Sequence, residues 1–397
     1  MTAYIADNEH KLLEDQLGVY KTTISSIGSE RGSQFFLDAL GGTGKTFVIN
    51  LLLAKLHQMK HIAIAVASSG IAATLLSGSL TADSCFRLPS DLSKKEKANY
   101  NISCGSIKIK LLGECRQTFP VVPKATRADK SSVQKLRFTT NMRVQFRGDD
   151  VDRTFSKQLL DVGNGTSVGE EDGRVSLPFG HMVSDLKELM NKVFPNSRNQ
   201  FTDHNWLKTR AILVPKNVTV DELNTKLLEQ LPGEHHIYNS IDTVLNIDEA
   251  VNYPVEFLNS LTPHSHPPHN LHLKIGTPVM LLRNIDPPKL YNVLETTILT
   301  GKASGEPVFI PRIPLTPSDM PFLYKRLQLP LKLSFAMSIN KTQGQSLNVV
   351  GLNLAEQVFS HGQLCVGCSR VGNPNHLFIY APQGKTKNVV YQEALQI

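Results

Sequence analysis

The 397-residue sequence holds no run long and apolar enough for a membrane helix. Its longest nearly apolar stretch, Ile62 to Leu76, is interrupted by Ser68, Ser69 and Gly70, and it falls short of the ~18–20 residues a span requires. The start, MTAYIADNEHKLLEDQ, has no basic flank, apolar centre or small-residue cleavage site, so no secretory signal is expected. Cysteine is scarce: Cys85, Cys104, Cys115, Cys365 and Cys368 make an odd count, which argues against a disulfide framework and for a reducing compartment. There is no internal repeat. The expectation is a soluble intracellular protein. With 41% hydrophobic residues it can bury sizeable cores, and its length suggests two or three domains. Forty-two Lys+Arg against 35 Asp+Glu leave +7, with a pI near 9.0. That excess permits a polyanionic partner without demanding one.

Hydrophobic patterning points to an α/β fold. Phe35-Phe36-Leu37 precedes a glycine-rich turn, and Thr46 to Gln58 then places Phe47, Val48, Leu51, Leu52 and Leu56 at helical spacing. Ile62 to Val66 is apolar on both faces, as a strand of a doubly wound parallel sheet would be. Ile107–Leu112, Ala211–Val214, Val349–Leu354 and His376–Ala381 read as further strands. Asn217–Leu231 reads as a helix with Val220, Leu223, Leu227 and Leu231 on one face. Two stretches read as loops: the acidic, glycine-rich 164–178 and the Pro/His-rich 262–270. The first is taken as the boundary between two halves. The second lacks the ligand spacing of a zinc module and reads as a solvated turn.

The strongest chemical signal is Ala39-Leu40-Gly41-Gly42-Thr43-Gly44-Lys45-Thr46. It departs from the G-x-x-x-x-G-K-[ST] loop only at its first position, and it joins a predicted strand to a predicted helix. Backbone N–H groups and the helix N-terminus would then face a phosphate chain, where the macrodipole favours negative charge. Lys45 would reach the terminal phosphates and the Thr46 hydroxyl would hold Mg2+. A nucleoside triphosphate is the expected ligand, but many reactions use such a loop.

Further segments narrow the choice. Ala67-Ser68-Ser69-Gly70-Ile71-Ala72-Ala73 and Thr81-Ala82-Asp83-Ser84-Cys85-Phe86-Arg87-Leu88-Pro89 resemble the first DNA-contacting motifs of the PIF-like DNA helicases, the RecD-related branch of superfamily one B. In family order follow Gly113-Glu114-Cys115-Arg116-Gln117 with Pro120 to Lys124, then Thr140-Asn141-Met142-Arg143, Ser338 to Ser346, and Ser369-Arg370-Val371. The connecting stretches YPVEFLNSLT (253–262) and FSHGQL (359–364) resemble the helitron-type branch.

The resemblance implies two RecA-like domains around an ATP cleft, over residues 1–163 and 179–397, with a shortened SH3-like insert near 284–335. It implies ATP and Mg2+ as cofactors and 5′-to-3′ DNA unwinding as the activity. Gln16 would read the adenine edge, and Gly41, Gly42, Thr43, Gly44, Lys45, Thr46 and Gly344 would line the nucleotide site. Gln117 would sense the γ-phosphate, and Arg143 and Arg370 would be arginine fingers neutralising charge in phosphoryl transfer. Ser68, Ser69, Thr81, Ser84, Lys341 and Ser346 would contact DNA phosphates. Phe86 reads equally as a base-stacking platform or a core residue. The implied partners are single-stranded and forked DNA, with no membrane, for a monomer in the nucleus or mitochondrion. The resemblance places the work in DNA repair, recombination, telomere maintenance or helitron transposition.

The sequence also departs from the pattern. The family's apolar strand ending Asp-Glu, whose carboxylates order magnesium and activate water, has no counterpart between Pro89 and Ile107. A helix and strand near 90–106 read as deleted. Asp248-Glu249 imitates the pair but lies in the second half and is read as a decoy. Asp83 stands where the family tends to have histidine, and an acid there repels phosphate. Glu114-Cys115 replaces Asp-Phe, and the Asn-Gly-Thr-Arg segment expected after Asn292 is absent. Cys365 and Cys368 form a C-x-x-C without a second pair, read as coincidence. Two expectations therefore stand side by side: a helicase motor, or a degenerate remnant that binds ATP and single-stranded DNA without efficient hydrolysis.

Overall fold

The computed structural model describes residues 2–27, 33–39, 41–67, 70–81, 85, 109–113, 133–138, 150–167, 174–245, 253–263, 266–283, 293–301, 303–317, 320 and 322–392. The chain divides into two compact units. One comprises residues 1–193, 213–216 and 338–397, and the other 194–212 and 217–337.

In the first unit, strand Ser33–Asp38 is the centre of a three-stranded parallel sheet, flanked by Ile109–Gly113 and Val133–Arg137. Phe35 and Leu37 are buried on alternate positions, as the two-residue period of a strand dictates. The helix Lys45–Gln58 follows the glycine turn and buries Val48, Leu51, Leu52 and Leu53. Val48, Leu51 and Leu52 pack with Ile5, Val19, Tyr20, Leu37, Ala39 and Phe138 in one apolar cluster, with Phe47 against it, a match to the spacing read from the sequence.

A five-stranded sheet has the order Ala336–Ser338, Arg210–Val214, Val349–Asn353, Leu377–Tyr380, His181–Met182. Its last three strands are parallel. Ala211, Ile212, Leu213 and Val214 are each 0% exposed, so this strand is covered on both faces. The helix Leu186–Val193 packs Leu189 and Val193 so closely on Gly351 that a Cβ there would lie 2.7 Å from Val193 Cγ2. The helix Asp150–Asn164 adds Phe155, Leu159 and Val162 to the core, with Phe155 edge-on to Phe179 at 5.0 Å.

One expected strand is corrected. Of Ile62–Val66 only Val66 joins a ladder, in the two-residue strand Val66–Ala67 paired with Leu80–Thr81. Ile62 and Ile64 are 89% and 63% exposed. Both places beside the phosphate-loop strand are taken by 109–113 and 133–137, and apolar composition cannot supply a missing hydrogen-bonding neighbour.

The second unit contains antiparallel pairs. His236–Asn239 pairs with Asn270–Leu273, Val279–Leu281 with Leu331–Leu333, and Val293–Thr297 with Pro307–Pro311; Tyr324–Gln328 lies between Ile241–Val244 and Ile313–Leu315. Its centre is an ion pair. The guanidinium of Arg326 donates to both carboxylate oxygens of Asp242 at 2.6–3.1 Å, with both side chains 0% exposed. It also donates to the carbonyls of Leu258, Leu261 and Pro267, so the helix Val255–Ser260 and the loop after it are held to the sheet. The helix Asn217–Gln230 is fixed by Asn224, which bonds the Leu333 carbonyl and both backbone groups of Ala336.

Candidate nucleotide site

The phosphate loop begins where strand Ser33–Asp38 ends and closes at the first turn of helix Lys45–Gln58. Gly44 caps that helix at φ 80°, ψ 18°, a left-handed conformation that a side chain disfavours. This is why a glycine must precede the lysine. Lys45 turns its ammonium back onto the Ala39 carbonyl at 2.8 Å. Thr46 stands in the first turn, so its hydroxyl and the loop amides share the end of the helix where the dipole is positive.

Gln16 approaches from the helix Glu14–Ser26. Its side chain is fully buried, donates to the Thr43 carbonyl at 2.9 Å and accepts from the Leu13 amide at 3.1 Å. Both ends of the amide therefore fasten the loop to the helix that packs beside it.

On the other side of the loop stand Ser369 and Arg370. A Cβ on Gly41 would lie 2.8 Å from Ser369 Oγ and 3.2 Å from Arg370 Nη2, so the first glycine of the loop is needed for close approach. Arg370 is 2% exposed. It sits just beyond the helix Gln363–Cys368 and donates from Nε to the Val366 carbonyl, from Nη1 to those of Thr342 and Gln345, and from Nη2 to Ser369 Oγ. Its own carbonyl accepts from Leu347 N. The turn 342–347, which follows the short helix Ile339–Thr342 bearing Lys341, is thus built around this guanidinium. Gln363 holds the short helix before this turn, donating to Asn340 Oδ1 and to the Pro215 carbonyl. Gly344, at φ 83°, presses on Leu75, whose Cδ1 would be 2.7 Å from a Cβ there. The Leu75–Ser77 segment is in turn tied to the phosphate-loop helix, Asn50 bonding the Leu75 carbonyl and the Ser77 amide.

The structure thus brings together Gln16, Gly41, Gly42, Thr43, Gly44, Lys45, Thr46 and Arg370, and it seats Gly344 beside the segment preceding Thr81. Lys341 precedes the turn held by Arg370, and Ser346 lies within it. Ser68, Ser69, Ser84, Phe86, Gln117 and Arg143 lie outside the described residues, as do Asp83 and the Asp248-Glu249 pair. Ser369, Asn50 and Leu75 are contacts not singled out as site residues from sequence; Ser369 was signalled only by standing next to Arg370. Among the described residues no group of three or more His, Cys, Asp or Glu is placed to hold a metal ion, and no helix is long and apolar enough to cross a membrane. Cys365 and Cys368 are buried, and burial drives the Cys368 thiol far above its ordinary pKa, with Cys365 adding to the shift. That suits packing rather than redox chemistry.

Residues 11–111 match the family described as PIF1-like helicase, and residues 256–292 match the 2B domain of DNA helicase Pif1. The ATP-dependent DNA helicase PIF1 of Xenopus laevis is 32% identical over 167 residues, covering 39% of this chain and 25% of that protein. The Homo sapiens protein of the same name is 23% identical over 421 residues, covering 91% of this chain and 59% of the relative. The chain thus spans about a quarter of the Xenopus relative and just over half of the human one in these matches. Among solved structures, the Pif1 helicase of Candida albicans superposes with a TM-score of 0.61 at 18% identity over 97% of both chains. A Bacteroides Pif1 helicase in complex with ADP-AlF3 and ssDNA gives 0.60 at 16% identity, covering 97% of this chain and 96% of the other. At these identities the likeness establishes the fold alone, an α/β fold of the P-loop NTPase type.

Proposed function

The chain is a relative of the PIF1-like helicases, and on that premise we propose that it is an ATP-dependent DNA helicase moving 5′ to 3′ along a single strand and opening forked duplexes. The observation that carries this reading is the position of Arg370. One edge of its guanidinium meets the phosphate loop at Gly41, and the other holds the carbonyls of Thr342 and Gln345 in the turn between Lys341 and Ser346. A charge change in the loop would therefore reach, through this one guanidinium, a turn bearing candidate DNA contacts, and such coupling is what a translocating motor needs.

In this reading the amides of Gly41 to Thr46 cradle the phosphates and Gln16 keeps the loop in shape. Lys45 shifts from the Ala39 carbonyl to the terminal phosphates. Thr46 would hold Mg2+, which supplies charge neutralisation during phosphoryl transfer when bound. Arg370, with Arg143, would neutralise the charge that develops at the γ-phosphate, and Gln117 would sense it. Ser68, Ser69, Thr81, Ser84, Lys341 and Ser346 hold the DNA backbone and Phe86 a base. The work falls in DNA repair, recombination, telomere maintenance or helitron transposition, in the nucleus or mitochondrion, with a monomer as the acting species.

A second reading is favoured by one sequence fact. No apolar run between Pro89 and Gly113 ends in Asp-Glu, so the groups that would order the metal and activate water are missing. The protein would then be a remnant that retains ATP and single-stranded DNA but hydrolyses slowly.

DNA-stimulated ATPase and fork unwinding, with Lys45→Ala as control, decide between them. Stimulated turnover of about 1–100 s⁻¹, the range of kinases performing the same phosphoryl chemistry, with strand separation supports the motor. Salt-dependent DNA binding that ATP leaves unchanged, with little hydrolysis, supports the remnant. Retention of neither ATP nor DNA overturns both.

A further inference from the structure

Six of the 13 histidines lie in two short segments, residues 235–236 and 264–272. The antiparallel pairing of His236–Asn239 with Asn270–Leu273 joins these segments, with Ile237 opposite His272 and His236 opposite Leu273. Alternation along the strands puts Ile237 and His272 on one face and His236 with Leu273 on the other. His235, one step before the strand, falls on the face of Ile237 and His272. Its Nε2 stands 3.1 Å from His272 Nδ1, with ring centroids 4.8 Å apart and planes tilted by 34°.

We propose that His235 and His272 are a bidentate site for an imidazole-preferring divalent transition ion such as Zn2+, clamping these two strands together.

The geometry fits a shared ion. Zinc–imidazole bonds of about 2.0–2.1 Å at a tetrahedral angle place two ligand nitrogens about 3.3 Å apart, close to the spacing present. The rings are also bent toward a common point. Two imidazoles joined by a straight N–H···N bond at this nitrogen spacing would hold their centroids farther apart than those observed. Binding needs both rings neutral, each with its proton on the far nitrogen, leaving His235 Nε2 and His272 Nδ1 as donors; neutral rings reach this by tautomer exchange, without net proton release. His235 is exposed, so water can complete the tetrahedron. Among the described residues the neighbouring histidines are engaged or turned away: His269 Nδ1 meets Ser240 Oγ, His266 is buried, and His236 occupies the opposite face. This inference is independent of the proposed helicase activity.

The test is a Zn2+ titration of the whole protein followed by isothermal calorimetry and by the thermal midpoint, repeated on His235→Ala, His272→Ala and His236→Ala. The wild type and His236→Ala should bind and be stabilised as the ion is added, since a ligand that binds only the folded form raises stability by mass action. His235→Ala and His272→Ala should bind about tenfold more weakly or worse, since loss of a second-shell partner alone can cost that much. His235 is exposed, so its replacement leaves folding intact, and unchanged metal-free midpoints verify this for each variant. A wild type indifferent to Zn2+ overturns the proposal. So does equal affinity in either single variant, which would leave the contact a hydrogen bond between rings, and so does an equal loss in His236→Ala.

Discussion

Gln16 and Thr43 are joined across 27 residues of sequence by a 2.9 Å bond from Nε2 to the backbone carbonyl, inside the protein. The family resemblance assigns this glutamine to the adenine edge. Its described contacts are with the backbone at Leu13 and Thr43, which makes it a brace for the phosphate loop. Gln16→Ala leaves a buried carbonyl and a half-buried amide without these partners. The expected loss is about 1–3 kcal/mol in urea denaturation, accompanied by weaker nucleotide retention. Unchanged stability and retention would show that the brace is dispensable.

The close approach at Gly41 predicts a specific epistasis. Gly41→Ala drives a Cβ to 2.8 Å from Ser369 Oγ and should impair nucleotide binding. Replacing Ser369 with glycine in the same protein removes that obstacle and should recover binding in part. A double-mutant cycle should return a coupling of about 0.5–3 kcal/mol, the range for residues in contact. Strict additivity would mean that the loop and Ser369 do not meet in solution.

In the second unit, Arg326 and Asp242 are both out of solvent. Arg326→Met leaves an uncompensated buried carboxylate and should cost about 3–5 kcal/mol. Combining it with Asp242→Leu removes both charges, and the double variant should be more stable than the single one. Urea midpoints of the three proteins provide the comparison, and a mild single-variant loss would contradict the buried pair.

Tyr20 carries an alkaline signature. Its phenol is held at about 12, raised by burial first and by the charge of Glu9 second. The folded state therefore keeps its proton at pH values where the unfolded chain, near 10, has released it. The linked stability is complete below pH 10 and is lost as pH rises from about 10 to 12. Tyr20→Phe should flatten stability over that window. The phenol oxygen has no hydrogen-bond partner among the described residues, so the replacement should cost little at neutral pH. Thermal midpoints recorded from pH 8 to 12 test both statements.

Much of the fold was legible because local rules were decisive. The strand–loop–helix around Lys45 followed from an apolar run, glycines where a left-handed turn is needed, and 3.6-residue spacing down to Gln58. The strand read at 211–214 followed from uninterrupted apolar residues, and the structure extends it by Arg210. The same reasoning failed at Ile62–Val66, which has equal apolar content. The difference is that Ala211 to Val214 have a sheet to enter, whereas residues 61–65 make no ladder and Ile62 and Ile64 face solvent. The histidine pair was also invisible in sequence, since His235 and His272 meet only through strand register.

The sequence by itself determined the local chemistry: a phosphate loop, its lysine and threonine, and an ordered series of helicase-like motifs. These depend on backbone conformations set by neighbouring residues. Only the tertiary structure decided that Gln16 grips Thr43, that Arg370 joins Gly41 to the turn after Lys341, and that His235 faces His272. Each of those contacts depends on packing and strand pairing between distant segments, whose energies no local pattern encodes.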